Sequence, residues 1–117
     1  MSVREIGDKP EVMSHFPDCY RWLELHDRGD VYGHAAVAER GDDLELHVTL
    51  HRWGPQVRRN VSGDVNWVKE EARRLGKSRV MGVRASCEGK FDSKLFRFAA
   101  LYGFTEICVL QTASMNV

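Results

Sequence analysis

Glu45 and His47 stand two residues apart in the run LELHVTLHR at residues 44–52. A carboxylate and an imidazole are side chains that commonly exchange protons with a substrate near neutral pH. Apolar and polar residues alternate through the run, which is typical of a half-buried strand with one polar face. Glu45 and His47 are therefore candidate catalytic residues on one face of a predicted strand. The alternative is an exposed sheet face without a function.

A second candidate site lies at the start of a long helical pattern, in the segment QVRRNVS at residues 56–62. A helix N-terminus presents unpaired N–H groups and the positive end of the helix dipole, which together favour phosphate. The guanidinium groups of Arg58 and Arg59, with that of nearby Arg52, could add bidentate contacts. The alternative is that these arginines form a solvated face with neighbouring acidic residues.

The residue at which this helix begins decides whether the turn before it is open. Pro55 is a favoured first helical residue, and a helix that starts there leaves no open turn. Gly63 offers a later turn, with Ser62 as the N-terminal cap. The sequence leaves both starts open.

The elements that hold these residues begin with strands. An edge strand is predicted at residues 2–6, and Pro17 limits residues 9–20 to a short helix at most. Strand-like runs at residues 20–27, 31–40 and 44–52 are separated by short Gly/Asp turns, which predicts an antiparallel meander.

Helical periodicity follows the meander. One helix face, ended by Gly76, consists of Val57, Val61, Val65, Val68, Ala72 and Leu75. A strand at residues 78–86, a second helix whose face runs from Phe91 to Tyr102, and a last strand at residues 105–112 complete the predicted order. We expect Leu46 and Phe98 to be core residues, and we expect burial of Val65, Val68, Ala72 and Leu75.

Composition restricts the functional classes. The 117 residues predict a single domain over 1–117, and 43% hydrophobic residues support a packed core. Equal numbers of basic and acidic residues, 17 each, disfavour charge-driven binding of nucleic acid. The sequence lacks a membrane-length apolar run and a CxxC pattern. His47 and His51 are four residues apart, but in a strand that spacing separates their side chains by about 13 Å. We therefore expect a cytoplasmic protein without a metal.

The element order, with the segments EEARRLG at residues 70–76 and LFRFAALYGFTE at residues 95–106, resembles the GNAT (Gcn5-related N-acetyltransferase) superfamily. The resemblance implies an α/β (α+β) fold, with a mixed, mostly antiparallel sheet of five to seven strands and two or three helices. It also implies acyl transfer from acetyl-CoA, or another acyl-CoA, to an amine. The donor would lie where the fourth and fifth strands splay apart.

The family's phosphate-binding turn, Q/R-x-x-G-x-G/A, matches this sequence from Gln56 to Val61. The resemblance therefore implies coenzyme contacts at Gln56, Arg58, Arg59, Val61 and Ser62. Arg59 and Val61 replace the family's small residues, and a side chain there obstructs close approach of the backbone to a phosphate. We expect the Arg59 side chain to be an obstruction.

The resemblance also implies a base on the fourth strand and an acid on the last helix. Glu45 and His47 match the base, acting directly or through water. The family's usual acid, a tyrosine, corresponds to Ala99 here. Tyr102 lies three residues further along the same helix face and is the candidate substitute.

Two functions from different classes follow. The first is an N-acyltransferase with a divergent coenzyme site, which needs an acyl-CoA and an amine as partners. The second is a catalytically inactive GNAT-fold module for binding or structure, of a size and layout similar to proteins encoded by tailed phages. A homodimer is an open alternative for either function.

Overall fold

The computed structural model of the protein describes residues 3–84, 92–108 and 112–117. The chain divides into two compact units, Met1–Val83 and Arg84–Val117. The first unit holds a five-stranded sheet and a long helix, and the second unit holds a short helix.

The sheet has the strand order β1-β2-β3-β4-β5. Its strands are β1 (Val3–Ile6), β2 (Arg21–Asp27), β3 (Asp30–Arg40), β4 (Asp43–Leu50) and β5 (Arg79–Gly82). Neighbours from β1 to β4 pair antiparallel, and β4 pairs with β5 in parallel. A parallel pair needs a crossover connection, which the long helix supplies. The predicted mixed, mostly antiparallel sheet is confirmed.

The hairpins of the meander close where Gly/Asp turns are predicted. Arg28 and Gly29, between β2 and β3, both have positive φ, 51° and 88°. Two such residues form a type I′ turn, whose twist matches that of the flanking strands. Gly33 has a different requirement, because a Cβ there would lie 2.8 Å from the carbonyl oxygen of Thr49 on β4.

Helix α1 spans Pro55–Arg74, with proline in its first turn. Gly76 takes a φ of 74°, and its N–H donates to the Arg73 carbonyl while that of Lys77 donates to the Ala72 carbonyl. These two bonds form a Schellman motif, which ends the helix at the glycine predicted for that purpose.

One face of α1 packs towards the sheet. The buried apolar residues of this face are Val57, Val61, Val68 and Ala72. Val65 and Leu75 are half-buried where burial was expected, so the buried face of α1 contains fewer residues than its periodicity predicts.

Polar contacts also join α1 to the sheet. Asp64 is buried, and its carboxylate accepts a hydrogen bond from the hydroxyl of Tyr32 on β3. The Arg21 guanidinium on β2 donates to Glu71 over 2.9 Å.

The other face of the sheet is covered by the segment between β1 and β2. This segment contains a 3-10 helix, Glu11–Met13, in agreement with the short helix predicted there. Met13 forms a buried cluster with Trp22 and Ala36, against which Phe16 and Tyr20 pack. The small side chains of β3 on this face leave room for the aromatic rings.

The apolar face of β4 is not buried along its whole length. Leu44 and Leu46 are buried, with exposed fractions of 1% and 7%, which confirms Leu46 as a core residue. Val48, on the same face, is 46% exposed.

In the second unit, helix α2 spans Ser93–Ala100 and is capped by Asp92, whose Oδ1 accepts from the Leu95 N–H at 3.0 Å. The Phe98 ring meets the Tyr102 ring edge-on, with centroids 5.1 Å apart. Phe98 is half-buried, so the expectation that it is a core residue is wrong.

The described residues 105–108 of the predicted last strand are not a strand, and residues 109–111 lie outside the described part. Phe91 and residues 85–86 of the predicted fifth strand also lie outside it.

Candidate active site

Glu45 and His47 contact each other on the face of β4 that the segment between β1 and β2 covers. The Nε2 of His47 lies 2.8 Å from the Oε2 of Glu45. Their side chains are only 13% and 15% exposed. The pair is therefore a partly enclosed carboxylate–imidazole dyad and not a fully exposed one.

Tyr20 completes this group and was not among the residues expected from the sequence. Its hydroxyl donates to the Oε2 of Glu45 at 2.5 Å and lies 3.4 Å from the Nε2 of His47. The ring of Phe16 packs edge-on against His47, with centroids 4.9 Å apart. Tyr20 immediately precedes β2, and Ala38 is the residue opposite Glu45 on β3. The Tyr20 side chain therefore passes over the small Ala38 side chain on β3 to reach Glu45 on β4.

Arg40 lies at the rim of the same group. Its Nε lies 3.5 Å from the Oε1 of Glu45, and its guanidinium lies 5.8 Å from the centre of the Tyr20 ring. Its Nη2 donates to the sulfur of Cys19 at 3.6 Å. The Glu45 carboxylate thus has a tyrosine and a histidine on one oxygen and an arginine near the other.

This environment determines the charge of Glu45. Burial by itself would raise the pKa of Glu45, but the hydrogen bonds from Tyr20 and His47, with the charge of Arg40, bring that pKa below its ordinary value. Burial, and then the hydrogen bond to Glu45, raises the pKa of Tyr20. At neutral pH the group therefore contains a carboxylate and a neutral phenol.

Glu45 and His47 have different roles in the dyad. A carboxylate with a lowered pKa is a weak base, whereas an imidazole that donates its Nε2 proton to a carboxylate keeps a lone pair on Nδ1. His47 is accordingly the better proton acceptor, and Glu45 fixes its tautomer and orientation.

The pairing of β4 with β5 ends beside this dyad. Leu46 and Gly82 are the last paired residues, followed by a bond from the Val83 N–H to the Leu46 carbonyl at 3.0 Å. β4 itself extends to Leu50, and the described residues that follow β5 run to Arg84. The donor cleft that the resemblance implies between these two strands stays a prediction.

The predicted coenzyme residues all lie in the first two turns of α1. The Arg58 N–H donates to the Gly54 carbonyl at 2.9 Å, so the helix is closed from its first residue. Of the two predicted starts, Pro55 is the one observed. The amides of Val61 and Ser62 are helix-interior donors, and only Gln56 and Val57 keep first-turn N–H groups that helical bonding does not use.

The side chains at this helix end form a small surface network. The Arg59 guanidinium donates to Gln56 Oε1 at 2.8 Å, and Gln56 Nε2 donates to Asn60 Oδ1 at 3.4 Å. Val61 is 8% exposed and belongs to the core. The Arg59 side chain therefore points back along the helix towards its N-terminus.

Tyr102, the predicted acid, belongs to the second unit, just after α2. Its ring is half-buried against Phe98. Its role in catalysis stays a prediction.

The described part of the chain lacks two further kinds of feature. No three His, Cys, Asp or Glu side chains come together there in a group that could hold a metal ion. Within the same residues, no helix has the length and apolar character needed to cross a membrane.

The structure is similar to the crystal structure of glucosamine-6-phosphate N-acetyltransferase from Arabidopsis thaliana, a GNAT enzyme. The TM-score is 0.50 at 12% sequence identity, over 91% of this chain and 74% of that chain. The fold is GNAT-like. No protein-family model matches the sequence, and no curated protein matches it significantly. At this identity the likeness concerns the fold alone.

Proposed function

We propose that the protein is an N-acyltransferase that moves an acyl group from acetyl-CoA, or another acyl-CoA, to an amine. The observation that carries the proposal is the hydrogen-bonded group of Tyr20, Glu45 and His47 beside the end of the β4–β5 pairing. The GNAT-like fold supports acyl transfer at a coarse level. The acceptor amine is left as a class.

His47 is the general base in this mechanism. Its Nδ1 takes the proton that an attacking amine must lose, and Glu45 stabilises the imidazolium that results. Tyr20 donates to the same carboxylate oxygen, so it holds Glu45 in place and is a positioning residue. Tyr102 remains the proposed acid for the leaving thiolate. The acyl-CoA supplies the activated acyl group when bound.

The donor phosphates are proposed to lie at the N-terminus of α1. The free amides of Gln56 and Val57 and the positive end of the helix dipole favour an anion there. Gln56, Arg58 and Arg59 remain the proposed side-chain contacts. Val61 and Ser62 are dropped from this set, because the helix uses their amides and Val61 is buried in the core.

Two measurements test the proposal. Isothermal titration calorimetry should detect acetyl-CoA binding to the wild type. In a thiol-release assay over a panel of primary amines, His47→Gln should lower kcat by about a hundredfold or more, as expected for loss of a general base. The matched control is His26→Gln, which changes a histidine on β2 and should leave kcat unaltered.

The outcomes also separate the alternative function. Coenzyme binding without turnover of any amine would favour the inactive GNAT-fold module, phage-encoded or not. Absence of both binding and turnover would remove the coenzyme from the proposal. The cytoplasmic location and a homodimer stay predictions in either case.

A further inference from the structure

A second histidine pair lies on the same face of the sheet as the dyad, towards the other end of β4. The Nδ1 of His34 is 2.7 Å from the Nε2 of His51, and the ring centroids are 4.9 Å apart. His51 follows His47 by four residues, which along a strand is about 13 Å. The pair is therefore separate from the candidate active site.

The backbone holds both rings in place. His34 is paired with Thr49 in the β3–β4 ladder, and the His51 N–H donates to the Tyr32 carbonyl at 2.8 Å. His34 and His51 are thus diagonal neighbours across two hydrogen-bonded strands. Sheet backbone of this kind fixes the approach of the two imidazoles more firmly than a loop does.

The pair borders an open groove. Its other wall comes from the chain between the end of β1 and the 3-10 helix, with Ile6, Asp8, Lys9, Pro10, Glu11 and Val12. Both rings are thus accessible to a small solute, and two carboxylates line the same groove.

We propose that His34 and His51 bind a divalent transition-metal ion through His34 Nδ1 and His51 Nε2. The described residues offer no third His, Cys, Asp or Glu close enough to complete the site. Water, or a ligand that enters the groove, takes the remaining coordination positions. Imidazole nitrogen is a good ligand for Zn²⁺, Cu²⁺ and Ni²⁺.

The spacing of the two nitrogens selects among these metals. With metal–nitrogen bonds of about 2.0–2.1 Å, two ligands at a right angle are about 2.9 Å apart, and two tetrahedral ligands about 3.4 Å. From the observed 2.7 Å, the rings must separate slightly and rotate so that both lone pairs point at one metal ion in the right-angle geometry. Square-planar or octahedral Ni²⁺ and Cu²⁺ therefore fit better than tetrahedral Zn²⁺.

Both imidazoles can bind the metal ion in their neutral form. At present the two facing nitrogens share one proton, and a metal ion needs a lone pair from each. Neutral rings supply both lone pairs when each keeps its proton on the outer nitrogen, His34 Nε2 and His51 Nδ1. Burial, and then the proximity of His51, lowers the pKa of His34, while Glu24 on β2 acts in the opposite direction. The charged groups Asp8, Lys9 and Glu11 line the groove opposite.

The test is isothermal titration calorimetry of the 117-residue protein with NiCl₂. We expect binding of one Ni²⁺, weakened by at least about tenfold in His34→Gln and in His51→Gln. His26→Gln is the control, because His26 is not in the groove and should keep the wild-type affinity. Affinity should also fall as the pH is lowered below about 6.5, where protons compete for the imidazoles.

A second readout does not depend on the variants. Paramagnetic Ni²⁺ should broaden the wild-type ring resonances of His34 and His51 before those of His15 or His26. Zn²⁺ should bind more weakly than Ni²⁺. Nickel affinity that both substitutions leave unchanged, or broadening that spares these two rings, would overturn the proposal.

Discussion

Tyr20 shows how much a single hydroxyl contributes to the candidate site. Its hydrogen bond to Glu45 links the segment before β2 to the dyad on β4. Tyr20→Phe keeps the ring and removes that bond, so the Glu45 pKa should rise and the His47 ring should be held less firmly. We expect kcat to fall by about tenfold, less than the loss in His47→Gln.

A role in positioning is distinguished from a structural one by the pH profile. In Tyr20→Phe the acidic limb of the pH–rate profile should shift, and the KM for the acyl-CoA should not change. His47 imidazole resonances, followed by NMR titration, give the same information without turnover. A phenylalanine variant whose His47 titrates as in the wild type would contradict the assignment.

Arg59 is a residue for which the structure reverses an expectation. Its amide lies inside a closed helix, so a glycine there does not expose an N–H group to a phosphate. The side chain extends towards Gln56 at the helix start and can only add charge there. We now expect Arg59→Gly to weaken acetyl-CoA binding in calorimetry, whereas Arg73→Gly, at the far end of α1, should have no effect on it. Tighter binding of acetyl-CoA by Arg59→Gly would show that the Arg59 side chain obstructs the coenzyme, as expected from the sequence.

The residues that the sequence identified and those it missed differ in one respect. Glu45 and His47 can be recognised because a strand places alternate residues on one face. Tyr20 and Arg40 join them only through strand register, which brings together residues far apart in sequence. The buried Asp64 could not be expected either, because its partner Tyr32 lies on another element.

At the scale of elements, Glu71 is the ionic link between α1 and β2. Hydrogen bonds from Arg74, together with that from Arg21, lower the pKa of Glu71 to about 2 despite burial, from an ordinary value of 4.5. A lowered carboxyl pKa stabilises the fold above the unfolded pKa, and the contribution is lost as the pH falls through the folded value. The wild type should therefore lose stability between about pH 4.5 and about pH 2.

Glu71→Gln isolates that contribution. Its free energy of unfolding, from urea titrations at several pH values, should depend less steeply on pH in this range than that of the wild type. Glu70→Gln is the matched control, since the Glu70 side chain is 73% exposed. Equal pH dependence in the wild type and both variants would show that the link contributes nothing.

Gly63 inside α1 and Gly76 just after it predict opposite effects of the same substitution. Gly76 has a φ of 74°, so Gly76→Ala should destabilise by about 1 kcal/mol or more through backbone strain. Gly63 lies inside the helix with open space around its Cβ position. Gly63→Ala should stabilise by about 0.5–1 kcal/mol because alanine has the higher helix propensity.

Thermal and urea unfolding of the two alanine variants measure these effects. Stabilisation by Gly76→Ala would contradict the proposed helix end. Destabilisation by Gly63→Ala would mean that the middle of α1 is more crowded than the structure has it.

The positions of the helix and the turns were easier to predict than the burial of individual residues. The period of α1 and the turns of the meander follow from local sequence, and both were found. Val65 and Leu75 are half-buried where burial was expected, because burial depends on what covers a helix face and not on its periodicity alone. The end of β5 and the last predicted strand depend on residues that lie partly outside the described range.

At the scale of the whole molecule, cooperativity tests the prediction of a single domain. All three tryptophans, Trp22, Trp53 and Trp67, belong to the first unit. Tryptophan fluorescence therefore reports on that unit, and amide exchange of α2 reports on the second. If the 117 residues are one domain, the two probes should give the same urea midpoint. Separate midpoints would make the second unit an independently unfolding segment.

The cluster of Met13, Trp22 and Ala36 has a consequence for the order in which the protein assembles. The described residues that pack into it, and the dyad beneath Phe16 and Tyr20, all come from the first 47 positions of the chain. The meander closes over short turns, whereas the pairing of β4 with β5 needs the long crossover through α1 and is the less local contact. Pulse-labelled exchange during refolding should accordingly protect β2, β3 and β4 ahead of β5. During synthesis, the chemical machinery of His47 can take shape before the helix proposed to hold the donor has left the ribosome.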